Sequence, residues 1–163
     1  MIKIKKILIG SHNKGKIREL SFLLPKKLKK ISPIDLKIES PKETGKSYFA
    51  NSKLKANYFS KKSKLTAISD DSGLSVDCLN HKPGIYSARF AKQCGGFKNA
   101  MKKIIHMVKK KNKYKKIKNT KAKFICSLTI KEYKGKLINA KGEIHGNISK
   151  KILGKNGFGY DSI

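Results

Sequence analysis

The amino-acid sequence predicts a mixed α/β domain. Short apolar runs with strand spacing alternate with segments of helical spacing. The chain's 163 residues suffice for one hydrophobic core, and no internal repeat or linker divides them. Residues 1–163 therefore read as a single domain.

Residues 4–10 (IKKILIG) read as a first strand ending in a glycine-containing loop. Lys14 to Leu24 reads as a helix with Ile17, Leu20 and Leu24 on one face, halted by Pro25. A short extended piece is expected at Ile34–Ile38. Residues 47–62 suit a second helix capped by Ser47, with Phe49, Leu54 and Tyr58 as candidate core contacts. Two β-like runs, 65–69 and 74–79, flank Asp70-Asp71-Ser72-Gly73, which reads as a turn. Residues 97–109 place Phe97, Met101, Ile104, Ile105 and Val108 at helical spacing, and the charge run Lys109–Lys118 reads as an exposed loop. Runs 122–131 and 136–143, separated by Tyr133-Lys134-Gly135, read as an antiparallel hairpin.

Composition excludes several classes. No apolar run approaches the roughly 20 residues that span a bilayer. The basic N-terminus MIKIKKILIG lacks the apolar h-region and cleavage site of a signal peptide. Cys78, Cys94 and Cys126 are odd in number and lack C-x-x-C spacing, which argues against a disulfide framework and for a cytoplasmic location. The net charge of +30 suggests a polyanionic partner, yet of forty basic residues only Arg18 and Arg89 are arginines. Lysines spread along nearly every segment, beside many Ile and Asn, are also what an AT-rich coding bias produces. Either origin implies nonspecific, salt-sensitive affinity for nucleic acid.

Candidate chemistry concentrates in four places. Gly10-Ser11-His12-Asn13-Lys14-Gly15-Lys16 matches the G-x-x-x-x-G-K spacing of a P-loop, but Ile17 stands where Ser or Thr would hold magnesium. The more general reading is a phosphate-binding loop that offers helix N-terminal N–H groups and lysine charge to an anion; a polar tight turn is the plain alternative. In Asp70-Asp71-Ser72-Gly73, adjacent carboxylates on an extended chain point to opposite faces, so one of them suffices to hold Mg²⁺ and orient water. Gly73 would permit a sharp turn or a close backbone approach, and an ordinary Asx turn would use the same residues. Glu43 and Lys55 are a possible second metal ligand and phosphate partner, each weak alone. Gly154-Lys155-Asn156-Gly157-Phe158-Gly159-Tyr160-Asp161 sets two aromatics among glycines, which suits either stacking on a base or a packed glycine-rich turn.

In order, ILIGSHNKGKIREL, SPKETGKSYFANSKLKA, AISDDSGLSVD, PGIYSARF, KAKFICSLTI and GKNGFGYDSI resemble the inosine triphosphate pyrophosphatase family along essentially the whole chain. The resemblance implies a curved mixed sheet whose helices form two lobes around a central cleft, and a homodimer. It also implies Mg²⁺-dependent hydrolysis of inosine, deoxyinosine and xanthosine triphosphates (ITP, dITP, XTP) to the monophosphate and pyrophosphate. Residue by residue, it implies that the loop Ser11, His12, Asn13, Lys14, Gly15 and Lys16 binds triphosphate, chiefly through Ser11, Asn13 and Lys16. Glu43 and Asp71 would hold Mg²⁺, with Asp71 also accepting the proton of the attacking water and Asp70 supporting that centre. Lys55 would meet phosphate, Ser72 substrate, and Phe158, Gly159, Tyr160 and Asp161 the base. Arg89 would serve structure or site electrostatics.

The sequence departs from the family pattern twice. Ala50 precedes Asn51 where the family usually has Glu. The family also continues past G-F-G-Y-D through a strand and a last helix with a Ser-His-Arg element that reads the purine, whereas this sequence ends at Ile163. None of His12, His81, His106 and His145 stands in such a context, so the expectation is a domain lacking that strand and helix. The rival of another class is a decayed, inactive member acting as a basic nucleic-acid-binding protein.

Overall fold

The computed structural model describes residues 4–116, 118–154 and 157–163. In chain order the elements are β1 (Lys6–Ile9), α1 (Lys14–Leu23), β2 (Lys29–Ile31), α2 (Tyr48–Ser63), β3 (Thr66–Val76), β4 (Lys82–Pro83), α3 (Ser87–Gln93), α4 (Phe97–Lys115), β5 (Lys121–Lys131) and β6 (Leu137–Asn147). Among the described residues the strands form one six-stranded mixed sheet, ordered β2-β1-β3-β5-β6 with β4 pairing β3 off that path. β1 is parallel to β2 and β3, and β4 is antiparallel to β3. The expected α/β class, a mixed sheet flanked by helices, is the one the chain adopts. It divides into two compact units, Met1–Asp71 with Cys126–Lys141 and Ser72–Ile125 with Gly142–Ile163. Strands β3, β5 and β6 each have residues in both, which is why no linker marks the division.

In the first unit, side-chain alternation sorts residues onto two faces. Ile7, Ile9 and Ile68 pack with Leu20 of α1, joined by half-buried Ile17, Leu24, Leu128 and Ile130. Leu8 and Ala67 pack instead with Phe59 of α2. The α1 reading holds: Asn13 caps the helix and Leu24 closes it before Pro25. The α2 boundaries also hold, with Ser47 Oγ accepting the Ala50 N–H at 3.1 Å. Its core contacts differ from expectation. Phe49 is exposed and Leu54 and Tyr58 are half-buried, while Asn51, Ser52, Ala56, Phe59 and Ser60 are buried. That face is polar, so apolar spacing could not mark it. Ser52 Oγ lies 2.8 Å from Thr129 Oγ1 and 3.2 Å from Ser127 Oγ, and Asn139 Nδ2 donates to both of those hydroxyls.

Ile34–Ile38 is a turn, not an extended piece. The Ser32 N–H and hydroxyl donate to Asp35 Oδ2, the Leu36 and Ile38 N–H groups bond the Pro33 carbonyl, and Lys37 is left-handed (φ 53°). The strand of that region is the polar Lys29–Ile31, which lies in register with Lys6–Leu8. The hairpin reading of 122–131 and 136–143 holds, since β5 and β6 are neighbours joined by a turn in which Glu132 N–H bonds Lys136 O.

The second unit has an apolar core of Leu74, Val76, Ala91, Ala100, Met101, Ile104, Ile105, Val108 and Ile148, among others. Four of the five spaced apolar residues predicted for α4 are buried there, with Phe97 packed against them. The helix runs on to Lys115, so most of the Lys109–Lys118 run is helical and not a loop; Ile117 lies outside the described residues. Lysine favours helix nearly as well as leucine, and its cations suit a helix C-terminus.

The largest correction is β3. The expected turn at Asp70–Gly73 is absent, and one eleven-residue strand runs through it before a 3-10 turn at Asp77–Leu79. Gly73 serves close approach: a Cβ there would lie 2.3 Å from the Gly84 carbonyl oxygen and 2.6 Å from Ser87 Oγ.

Candidate active site

The loop after β1 turns at Gly10, where a Cβ would sit 2.2 Å from Ser69 Oγ and 2.5 Å from the Phe59 ring. Ser11 Oγ then accepts the Asn13 N–H at 3.1 Å, and Asn13 Oδ1 accepts those of Gly15 and Lys16 at 2.9 and 3.3 Å. Asn13 thus caps α1 and itself takes two of the helix N-terminal N–H groups expected to face an anion. His12 and Lys14 are exposed, and His12 Nδ1 lies 2.6 Å from Ser40 Oγ. Ile17, at the magnesium position of a P-loop, packs into the α1 core. The loop is not a P-loop.

Because β3 is continuous, Asp70 and Asp71 emerge on opposite faces, and the two carboxylates meet different chemistry. On the α1 face, Asp70 Oδ2 accepts from Lys16 Nζ at 2.6 Å. Asp70 Oδ1 is buried and has no hydrogen-bond partner among the described residues. Burial pulls the Lys16 ammonium down, but the Asp70 charge and hydrogen bond outweigh it and hold Lys16 above its ordinary value.

On the α2 face, Asp71 Oδ2 accepts from Asn51 Nδ2 at 3.0 Å, and Asp71 Oδ1 lies 4.0 Å from Lys55 Nζ. The same Lys55 donates to Glu43 Oε1 at 2.7 Å. Burial pushes the Asp71 carboxyl up to about 6, opposed by Lys55 and Asn51 and reinforced by the Glu43 charge. Glu43 and Asp71 therefore act on one space across one ammonium. These are hard oxygen donors, suited to a small divalent cation held by one or two carboxylates plus water and phosphate. No group of three His, Cys, Asp or Glu able to hold a metal occurs among the described residues.

The family model named Ham1 matches residues 7–163. The chain belongs to the Ham1 family. It is 37% identical over 159 residues to a Zymomonas mobilis protein named dITP/XTP pyrophosphatase, covering 97% of this chain and 75% of the relative. A Haemophilus influenzae protein of the same name is 40% identical over 166 residues, covering 98% and 81%. A HAM1 protein structure from Coxiella burnetii superposes with TM-score 0.82 at 29% identity, covering 97% of this chain and 80% of that one. The resemblance read from the motifs is borne out.

Within this Ham1 chain, the first unit brings together Lys16 with Asp70, and Glu43 and Lys55 with Asp71. Ser72 follows Asp71 on β3 and is half-buried. The second unit contains Phe158–Asp161. There Asp161 Oδ2 accepts the Phe158 N–H at 2.9 Å, and Phe158 stays half-exposed. Tyr160 is a core residue: it donates its hydroxyl to the Ser87 carbonyl at 2.9 Å and packs edge-on against Phe97. Burial raises its phenol well above the ordinary value. Its ring is closed to stacking, whereas that of Phe158 is partly open. Gly159 has a left-handed backbone (φ 70°), while Lys155 and Asn156 lie outside the described residues. The Arg89 guanidinium lies over the Tyr86 ring, 5.0 Å from its centroid. Asn51 was not singled out from the sequence. The available signal was its place four residues before Lys55, one turn away on the same face of α2.

Proposed function

We propose that this chain hydrolyses the deaminated purine nucleoside triphosphates dITP, ITP and XTP to monophosphate and pyrophosphate, with Mg²⁺, removing them from the nucleotide pool. The observation that carries the reading is the pair Glu43 and Asp71, joined through Lys55 on one face of a Ham1-family fold. Relatives 37–40% identical are named for this activity.

Water attacks the α-phosphorus, the bond from it to the α–β bridging oxygen breaks, and pyrophosphate leaves. Asp71 takes the water's proton. Burial holds the metal-free Asp71 carboxyl up to about 6, so at neutral pH it is ionised, the form a general base needs. Lys55, held by Glu43, meets phosphate charge. The loop Ser11–Lys16 binds the triphosphate, with Lys16 shared with Asp70 and Asp70 thereby supporting the centre. Glu43 and Asp71 would hold Mg²⁺, whose contribution when bound is to offset negative charge on the phosphate oxygens. Contacts of Ser72, Phe158, Gly159 and Asp161 with the nucleotide belong to the same proposal; Phe158 is the aromatic that suits a base, since the Tyr160 ring is packed in the core. The proposal includes a homodimer, which the family resemblance supports, and a cytoplasmic location, which the free Cys78, Cys94 and Cys126 support. No helix among the described residues is long and apolar enough to cross a membrane.

The test is product analysis after incubation with Mg²⁺ and dITP, XTP or dGTP. Equimolar pyrophosphate and monophosphate from dITP and XTP is expected. Orthophosphate as first product, or salt-sensitive nucleic-acid binding by a folded chain without turnover, would refute it.

A further inference from the structure

Asn51 is fully buried, and its carboxamide makes two directed contacts. Its Oδ1 accepts the Gly45 N–H at 2.8 Å and its Nδ2 donates to Asp71 Oδ2 at 3.0 Å. The amide orientation is fixed by its partners, since a backbone N–H can only donate and an ionised carboxylate can only accept. Gly45 lies two residues after Glu43. A Cβ at position 45 would be 2.5 Å from Asn51 Oδ1 and 2.8 Å from Ala50 Cβ, so the loop approaches α2 too closely for a side chain. One helical turn on, Lys55 joins the same loop to the same strand through Glu43 and Asp71. Two residues of α2 thus tie one loop to one carboxylate, one by charge and one by a neutral amide.

The two ties differ in what a ligand can do to them. Lys55 is an ammonium on a flexible stem, and a cation or a phosphate arriving at Glu43 and Asp71 redistributes its contacts. The Asn51 amide has no net charge, is sealed from solvent and holds the backbone of the loop. It also occupies Asp71 Oδ2, leaving Oδ1 on the Lys55 side.

We infer that Asn51 is a positioning residue. By clamping the Gly45 backbone and Asp71 Oδ2 together, it sets the spacing of Glu43 and Asp71 and dedicates Asp71 Oδ1 to the divalent cation and water. The inference rests on the metal-dependent reading above and adds a residue to it. Hydrogen bonds that orient ligating carboxylates characteristically change metal affinity or activity by about 10- to 100-fold when removed.

Its test compares the full chain with Asn51→Leu, which loses both bonds, and Asn51→Asp, which keeps the acceptor for Gly45 but cannot donate to Asp71 when ionised. Gly45→Ala perturbs the clamp from the loop side and serves should either Asn51 variant fail to fold. Two readouts are taken on chains with native circular dichroism: Mn²⁺ affinity by calorimetry without nucleotide, and kcat and KM for dITP at saturating Mg²⁺. Expected is a fall in Mn²⁺ affinity of about tenfold or more in Asn51→Leu and Gly45→Ala. A lower kcat should accompany it, with KM within about threefold, because the triphosphate loop is untouched. Folded variants that match the parent chain within twofold in both readouts would overturn the inference, as would a parent chain that binds no Mn²⁺. If Mn²⁺ affinity of the parent chain falls in the Asn51 variants yet the parent releases no pyrophosphate, the inference stands and the proposed reaction falls.

Discussion

The two faces of the sheet in the first unit differ in how much polar material they bury. Toward α1 lie Ile7, Ile9, Ile68, Leu128 and Ile130, and the charges admitted there, Lys16 and Asp70, are paired at 2.6 Å. Toward α2, beside Leu8 and Ala67 packed on Phe59, Asp71 meets Asn51 and the Ser127 and Thr129 hydroxyls meet Ser52, all of these polar groups buried. Adjacent residues of one strand therefore end in different chemistry. Asp70 is bonded directly to a cation, whereas Asp71 meets a neutral amide and a more distant ammonium, and its carboxyl rises to about 6. The difference teaches where reactivity is kept: a carboxylate bonded directly to an ammonium is engaged within the chain, whereas one held by a neutral amide and a more distant ammonium keeps an oxygen available to a ligand.

The comparison can be broken most forcefully from the α1 face. Lys16→Met strands the Asp70 charge in a dry environment and is expected to destabilise the chain by about 4 kcal/mol, read by urea unfolding. A loss below about 1 kcal/mol would show that the pair is wetter than its burial implies. Leu20→Ala, which removes hydrocarbon from the same face, is expected to cost about 3 kcal/mol by the same measurement.

On the α2 face the sign reverses. An unfolded aspartate loses its proton near pH 4, while the folded Asp71 keeps it to about 6, so ionising Asp71 opposes folding. In chelator-treated buffer Asp71→Asn should therefore be more stable than the parent chain by up to about 3 kcal/mol above pH 6. The gain should fade as pH drops from 6 to 4. A variant less stable at pH 7 would mean that the ionised form is favoured in the fold. The smallest effect is expected from Ser52→Ala, which removes the hydroxyl that meets Thr129 Oγ1, Ser127 Oγ and the Phe49 carbonyl and should cost roughly 1 kcal/mol.

What the sequence made legible follows the same divide. The apolar spacing of Ile17, Leu20 and Leu24 gave α1, and that of Met101, Ile104, Ile105 and Val108 gave the buried face of α4, because hydrocarbon burial has a period. The buried face of α2 has none in apolar terms, so Phe49 was expected inside and Asn51 and Ser52 were passed over. Asp70–Gly73 was expected to be a turn because acids, serine and glycine favour turns locally. Tertiary partners reverse that preference, with Lys16 and Asn51 making it possible to bury both acids in an unbroken strand. The pairing of Glu43 with Lys55 was invisible to spacing, because it depends on how a loop returns over α2. The motifs nevertheless marked the residues of the acidic centre, since chemistry restricts residue type even where periodicity is silent.

The most direct test of the account is the rate of pyrophosphate release from dITP by Asp71→Asn, in a chain whose circular dichroism matches the parent. The account predicts a fall of about 100- to 10,000-fold, with the variant at least as stable as the parent at pH 7. A folded variant that releases pyrophosphate within a few-fold of the parent rate would show that the α2 face does not supply the base.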